Sequence, residues 1–349
     1  MSLDNIVQIT ITSKSLHMTQ AGFGTPLIIA KHEYLKQTVT PISNILELFN
    51  LRKEDIEKAL PKEQKFENQP LYRMVQSLFA QSLSVPKIKI GKRDNNASVT
   101  EALAKIIKED ADGDFYGLLL LTDDAKEYLE LADAISDKKL LAGIDLDKDN
   151  QHLAEELKGS LGARRIFSIY KEDPEDYPAA AWMGRMLCQS PGSSSWAYKD
   201  LIGIKKSKLN TTITEGLKKL NINRHIDIND KGVTLDGKVA SGEYIDIIHG
   251  IDWLHVRIQE RIFRLLMLNE KIPYTLKGID LVRSELIAQL DEGVARGLLA
   301  ADPPPEVSIP NIETIPKAKK EQRILPDVSF CARLAGAIHT IEIRGTVES

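Results

Sequence analysis

Acidic side chains gather where a cation could be held. Asp123, Asp124, Asp145, Asp147 and Asp149 follow the apolar runs at 115–122 and 140–145. Carboxylates in such numbers suit a hard cation of the magnesium type. Each also stands just before or at a helix start, where an aspartate caps free amides and favours the helix dipole. Capping is therefore expected, and no metal. His249, Asp252 and His255 invite the same question. On a helix they sit at about 0°, 300° and 240°, too spread for one tetrahedral ion, and a solvated face is expected. Ser193, Ser194 and Ser195 lack the G-x-S-x-G turn of a nucleophile elbow. A phosphate cradle needs glycines directly after a strand, so that amides approach the anion. Here Ile90 leads into Gly91-Lys92-Arg93-Asp94, and the other strand ends are acidic. Gly22-Phe23-Gly24 lacks a third glycine and precedes a strand. No catalytic residue and no cofactor is expected. A soluble α/β enzyme with a metal or nucleotide site at the strand ends stays as an alternative.

The elements behind those residues alternate. Residues 87–90 (KIKI) read as a short strand, and Ser98 with Glu101 as a capping box. The unbroken apolar run FYGLLLLT at 115–122 fits a strand covered on both faces. LLAGID (140–145) and RIFSIY (165–170) are further strands, with amphipathic helices between them. Repeated strand–helix–strand units imply a mostly parallel sheet.

The 349 residues suffice for about two domains. With 46 basic and 50 acidic side chains, the net charge is -4, which gives no reason to expect direct nucleic-acid binding. Cys188 and Cys331 have no metal-site spacing. The opening MSLDNIVQITITSK is not signal-like, and the apolar runs are strand-sized, so no membrane insertion is expected.

The texture changes after residue 190. The serines read as a flexible linker, and Asp236-Gly237 as a hairpin turn. Residues 251–268 are apolar nearly all round, as in a helix buried on several sides. With 277–299 they form an antiparallel helical hairpin, stopped by Pro303-Pro304-Pro305. Both termini alternate polar and apolar: Val7, Ile9 and Ile11 at one end, Ile341, Ile343 and Val347 at the other. A strand needs partners for its amides and carbonyls. Either these strands join the parent sheet, or copies of the chain exchange them. The expected architecture is an α/β outer domain with a mostly parallel sheet, plus an α+β C-terminal domain with a long helical hairpin and extended terminal β-arms. The divisions are an arm over 1–20, the α/β domain over 21–190, a linker over 191–205, the C-terminal domain over 206–334 and an arm over 335–349.

Several segments, taken together and in order, are recognisable: SLDNIVQITIT (2–12), AGFGTPLI (21–28), SSSWAYKDLIGI (193–204), GKVASGEYIDIIHGIDWL (237–254), VRIQERIFRLL (256–266), GLLAADPPPEVSIP (297–310) and RILPDVSFCARLAGAIHTIEIRGTV (323–347). The chain resembles the contractile phage tail sheath protein family, collinearly over nearly its whole length. The resemblance implies a structural subunit in a virion tail, assembled in the host bacterial cytoplasm. Such subunits stack as hexameric rings in a helical array around an inner tail tube protein, and meet baseplate and tail terminator proteins. Contraction drives the tube through a cell envelope without consuming nucleotide. A non-polymerising tail adaptor of the same fold is the second reading. Carried onto this chain, the inter-subunit strand exchange falls to Ile6, Val7, Ile9 and Ile11, and to Ile338, Ile341, Ile343 and Val347. Residues 324–333 are the expected receiving strand. Arg257, Arg261 and Arg264, or the basic run 317–320, are the candidates for facing the tube.

Overall fold

The structure, a computed structural model, describes residues 22–32, 35, 37–48 and 69–345. One eight-stranded sheet organises most of it. The strands are β1 (Thr25–Lys31), β2 (Val39–Ile42), β3 (Ile88–Arg93), β4 (Phe115–Leu121), β5 (Leu141–Leu146), β6 (Ile166–Tyr170), β7 (Asn223–Ile228) and β8 (Lys231–Leu235). Their order across the sheet is β2-β3-β1-β4-β5-β6-β7-β8. The six inner strands run parallel, while β2 and β8 are antiparallel edges. The mostly parallel sheet read from the sequence is present.

Period-two geometry divides the strand side chains between two cores. In β1, Leu27 and Ile29 enter one core, Ile28 and Ala30 the other. Helices α1 (Pro70–Phe79) and α5 (Pro178–Met186) pack with the second core. Helices α2 (Val99–Glu109), α3 (Glu127–Ala134) and α4 (Leu153–Gly159) cover the first. With both faces covered, polar side chains would be stranded, hence the apolar runs. Lys89 is one exception: it is buried, with its Nζ 2.6 Å from Asp110 Oδ1. The capping box of α2 is formed, Ser98 Oγ accepting from the Glu101 amide and Glu101 from the Ser98 amide.

Past residue 190 the structure differs from expectation. β7 and β8 extend the same sheet, so the sheet crosses the expected linker. The serine segment is packed, not free. Trp196 is buried, edge-to-face with Trp182 and Phe167 at 5.3 and 5.4 Å, and its carbonyl accepts from Trp182 Nε1. The hairpin turn lies at Asn229-Asp230, both with the positive φ that a tight hairpin demands. Asp236-Gly237 also has positive φ, but it leads out of β8.

Helix α6 (Thr211–Lys219) precedes β7. Helices α7 (Ile245–Leu268) and α8 (Leu276–Ala295) then form the expected hairpin, with Thr275 capping α8. At 24 residues α7 spans about 36 Å. Its burial is concentrated in the first half, with Leu265 alone buried beyond it. Ile245, Ile248, Trp253 and Leu254 enter the core, whereas Phe263, Leu266, Met267 and Leu268 are exposed. The apolar circumference therefore does not mark burial on several sides within this chain. Two three-residue strands, β9 (Glu306–Ser308) and β10 (Ser329–Cys331), pair antiparallel, and the short helix α9 (Lys317–Glu321) lies between them in sequence.

Candidate functional site

The C-terminal tail leaves the body in steps. Leu334 bridges Leu299, and Ala335 N–H donates to Leu298 O at 2.9 Å. Among the described residues this is the last backbone–backbone bond of the chain. Gly336 turns the backbone with φ 68°. His339 is then pinned to the body. Its Nε2 lies 2.8 Å from Ser195 Oγ, its carbonyl accepts from Tyr198 Oη at 2.5 Å, and its ring stands edge-on to Tyr244 at 5.1 Å. Around the pin, Ile338, Ile341 and Ile343 are 82%, 75% and 87% exposed, and no strand forms from 335 to 345. Ile6, Val7, Ile9, Ile11 and Val347 lie outside the described residues.

The β9–β10 ribbon lies within reach of the same story. Its register pairs Ser329 with Ser308, Phe330 with Val307 and Cys331 with Glu306. Among the described residues no third strand joins it. A two-stranded ribbon is marginal alone and offers two open edges. β10 falls inside the segment expected to receive a strand, and its central residue Phe330 is exposed.

Arg257, Arg261 and Arg264 share one side of α7 and border a cavity of about 630 Å³ between α7, α8 and residues 187–191. Arg257 pairs with Glu260 at 2.5 Å, and Arg261 with Glu292 at 2.9 Å. Arg261 also donates from Nε to Gln289 Oε1 at 2.6 Å. Arg296 closes the wall, bonded to Glu292 at 2.8 Å with its guanidinium over the Trp253 ring. Burial would raise the Glu292 carboxyl, but hydrogen bonds from Arg261 and Arg296 outweigh it and hold it below its ordinary range. Arg264 is exposed and makes no ion pair among the described residues. The basic run 317–320 sits on exposed α9, where Lys317 faces Glu321 at 3.8 Å.

The residues considered for enzyme chemistry have other employment. Asp124 and Asp147 accept amides of the turns that follow them. Asp145 is buried in β5 and accepts the Ala179 amide at 2.7 Å, at the start of α5. Burial, against the pull of Lys171 and that amide, pushes its carboxyl up to about 7. His249 and Asp252 are not on a solvated face as expected. Both are buried, and only His255 is exposed. His249 stacks on Tyr116 at 4.6 Å, and burial lowers it to about 4. Asp252 Oδ2 accepts from Tyr116 Oη at 2.9 Å and from Arg165 at 2.5 Å. The cluster ties the start of α7 to β4 and to the entry of β6.

Residues 245–302, covering α7 and α8, match the family model described as the E217 tail sheath protein gp31-like C-terminal domain. No curated protein matches the chain in sequence. Among solved structures, the fold is similar to the anti-feeding prophage helical sheath in its contracted state, with a TM-score of 0.70, 14% identity and coverage of 99% of both chains. The sheath complex of an extracellular contractile injection system, PVC, in its contracted state gives 0.66, 17% identity and 97% coverage of each. A chain of the six-fold symmetrised anti-feeding prophage baseplate gives 0.68, 14% identity and coverage of 98% of this chain and 99% of that one. Identities this low speak for the fold, which over the described residues is similar to that of contractile sheath proteins. The resemblance read from the sequence motifs is borne out in the fold and in the matched C-terminal domain.

Proposed function

We propose that this chain is a structural, non-enzymatic subunit of a contractile sheath. It polymerises with copies of itself around an inner tube, and shortening of the array drives that tube through a cell envelope. The observation that supports this reading most directly is the tail from 336 to 345. Three large apolar side chains stand in solvent on a segment that, among the described residues, pairs with no strand, next to a ribbon with open edges. Unpaired backbone and exposed isoleucine are both unfavourable in an isolated chain, and both are relieved by strand addition. In this reading residues 1–20 and 335–349 are arms, and Ile338, Ile341, Ile343 and Val347 from one copy, with Ile6, Val7, Ile9 and Ile11 from another, complete the β9–β10 ribbon of a third. A head-to-tail contact that does not close makes a helical tube. Baseplate and terminator proteins bound the array, and the assembly belongs to a particle tail built in a host cytoplasm. Arg264, the one arginine of the α7 row without an ion pair among the described residues, is the best placed of the three to meet an acidic tube.

Electron microscopy of the purified full chain tests this. Tubes or rings are expected, and deletion of residues 1–12 is expected to abolish them. A truncated protein that polymerises normally would remove strand exchange from the account. A particle that stops at a closed ring as concentration rises would favour the adaptor reading instead.

A further inference from the structure

We infer that Ser195, Tyr198 and Tyr244 form a seat for His339, and that this seat sets the direction in which the C-terminal arm leaves the body. The first support is an inversion of ordinary burial. Over residues 335–345 His339 is the single one that is not exposed, while Ile338 beside it stands almost wholly in solvent. A tail that only sought burial would press an isoleucine onto the body and leave the imidazole in water. Here the body holds the polar side chain by directed contacts and leaves the apolar ones out. Contacts of that kind fix position and gain little hydrophobic burial.

Each part of the seat is held by bonds that do not involve the tail. Ser195 Oγ also accepts from the Ala197 amide at 3.2 Å. Tyr198 N–H donates to Thr234 O at 2.7 Å. Tyr244 bridges Lys238, whose ammonium lies over the Tyr244 ring at 5.5 Å. Tyr198 supplies the second, independent support. Its φ is 58°, in the left-handed region. Among the described residues the other non-glycine cases are asparagines and aspartates, which enter that region readily, and Arg323. A bulky aromatic residue there is strained, and Tyr198 is 51% exposed, so core packing does not demand it. Such strain persists where the surrounding structure holds a side chain to a task. Its result here is that the Tyr198 hydroxyl meets the His339 carbonyl and its ring stands edge-on to the imidazole at 5.9 Å. Ser195 meets the same imidazole at Nε2. Backbone and side chain of one tail residue are gripped together, which fixes the orientation of the arm's root as well as its place.

The grip does not depend on the sheath reading; its use in assembly rests on it, and the two are tested apart. Electron paramagnetic resonance of a nitroxide placed by Ile341→Cys reads the grip, in the full chain carrying Cys188→Ser and Cys331→Ser, at a concentration where electron microscopy shows single particles. Restricted label motion is expected in this parent. His339→Ala spares every isoleucine of the arm, and Tyr198→Phe removes only the hydroxyl; each is expected to speed the label by about threefold or more, toward the motion of a free terminus. Tyr198→Asn is expected to free the label equally while the thermal midpoint stays at or above the parent's, because asparagine accepts positive φ. Equal label motion in the parent and all three variants overturns the seat. So does a Tyr198→Asn chain with a lowered midpoint and an unchanged label, which would make Tyr198 a packing residue only. In unlabelled chains His339→Ala keeps the isoleucines, so polymers are expected, of irregular diameter where the parent's are uniform. Uniform polymers from both would remove the seat from control of the arm's direction. A parent that forms no polymer, with a label that still responds to the variants, would sink the sheath reading and leave the seat standing.

Discussion

Asp145 and His249 are both buried, and burial drives them in opposite directions. The Asp145 carboxyl rises to about 7, so between about pH 4 and 7 the unfolded chain is ionised there while the fold holds a proton. Stability from this group falls as pH rises. His249 drops to about 4, so between about pH 4 and 6.5 the unfolded chain binds a proton that the fold refuses. Its contribution rises with pH. The shifts correspond to at most roughly 3–5 kcal/mol each, and over their shared window the two slopes nearly cancel. Urea unfolding of the parent is expected to be almost flat from pH 4 to 6.5. Asp145→Asn, which still accepts the Ala179 amide, should expose a rise with pH. His249→Phe, which keeps the stacking on Tyr116, should expose a fall. Parallel curves for all three would show that neither group is buried as described. This site was hard to read from sequence because its partners are distant: Tyr116 reaches Asp252 across 136 positions. One signal was available. A tyrosine inside an apolar strand run needs a partner for its hydroxyl, and Asp252 was already under suspicion for a different chemistry.

Helix packing sets the tolerances one level up. Gly184 of α5 lies so close to α1 that an added Cβ would stand 2.3 Å from Leu78 O. That neighbour is backbone and cannot swing away, so Gly184→Ala is expected to destabilise by about 1–3 kcal/mol in denaturant titration. Gly216 in α6 has nothing within 4 Å of the same atom. There Gly216→Ala should stabilise by about 0.5–1 kcal/mol through helix propensity alone. Equal effects at the two positions would deny the close approach of α1 to α5. Strands β3 to β6 were legible in the sequence because burial on two faces leaves little choice of residue, and the α7–α8 hairpin because its apolar side chains are so many. β7 was not. Its first residues, Asn223, Arg224 and His225, are polar yet buried. Asn223 spans the Ser168 and Lys238 carbonyls, and Arg224 holds the Thr214 carbonyl and Asp236. A strand satisfied by side-chain hydrogen bonds carries no alternation to detect. The serine segment misled for a related reason, since its anchors, Trp196 against Phe167 and Trp182 and Ser195 against His339, are made with other parts of the chain.

For the molecule as a whole, the exposed far half of α7 and the bare tail are two apolar surfaces that a solitary chain has no reason to keep. Removing residues 338–349 deletes side chains that, over the described residues 338–345, contribute almost nothing to the core. Unfolding free energy is therefore expected to change by no more than about 1 kcal/mol, most of it from the lost His339 contacts, while sedimentation and electron microscopy should report loss of assembly. A truncation that unfolds the chain would place the tail in the fold after all. The pin at His339 also works as a short leash. Ile343 is four residues beyond it, and an extended backbone covers about 3.5 Å per residue, so this side chain cannot stray more than about 14 Å from the Tyr198–Tyr244 anchor point. Whatever grips it must come almost flush against the body it springs from, which makes the join between two such bodies a knuckle rather than a rope.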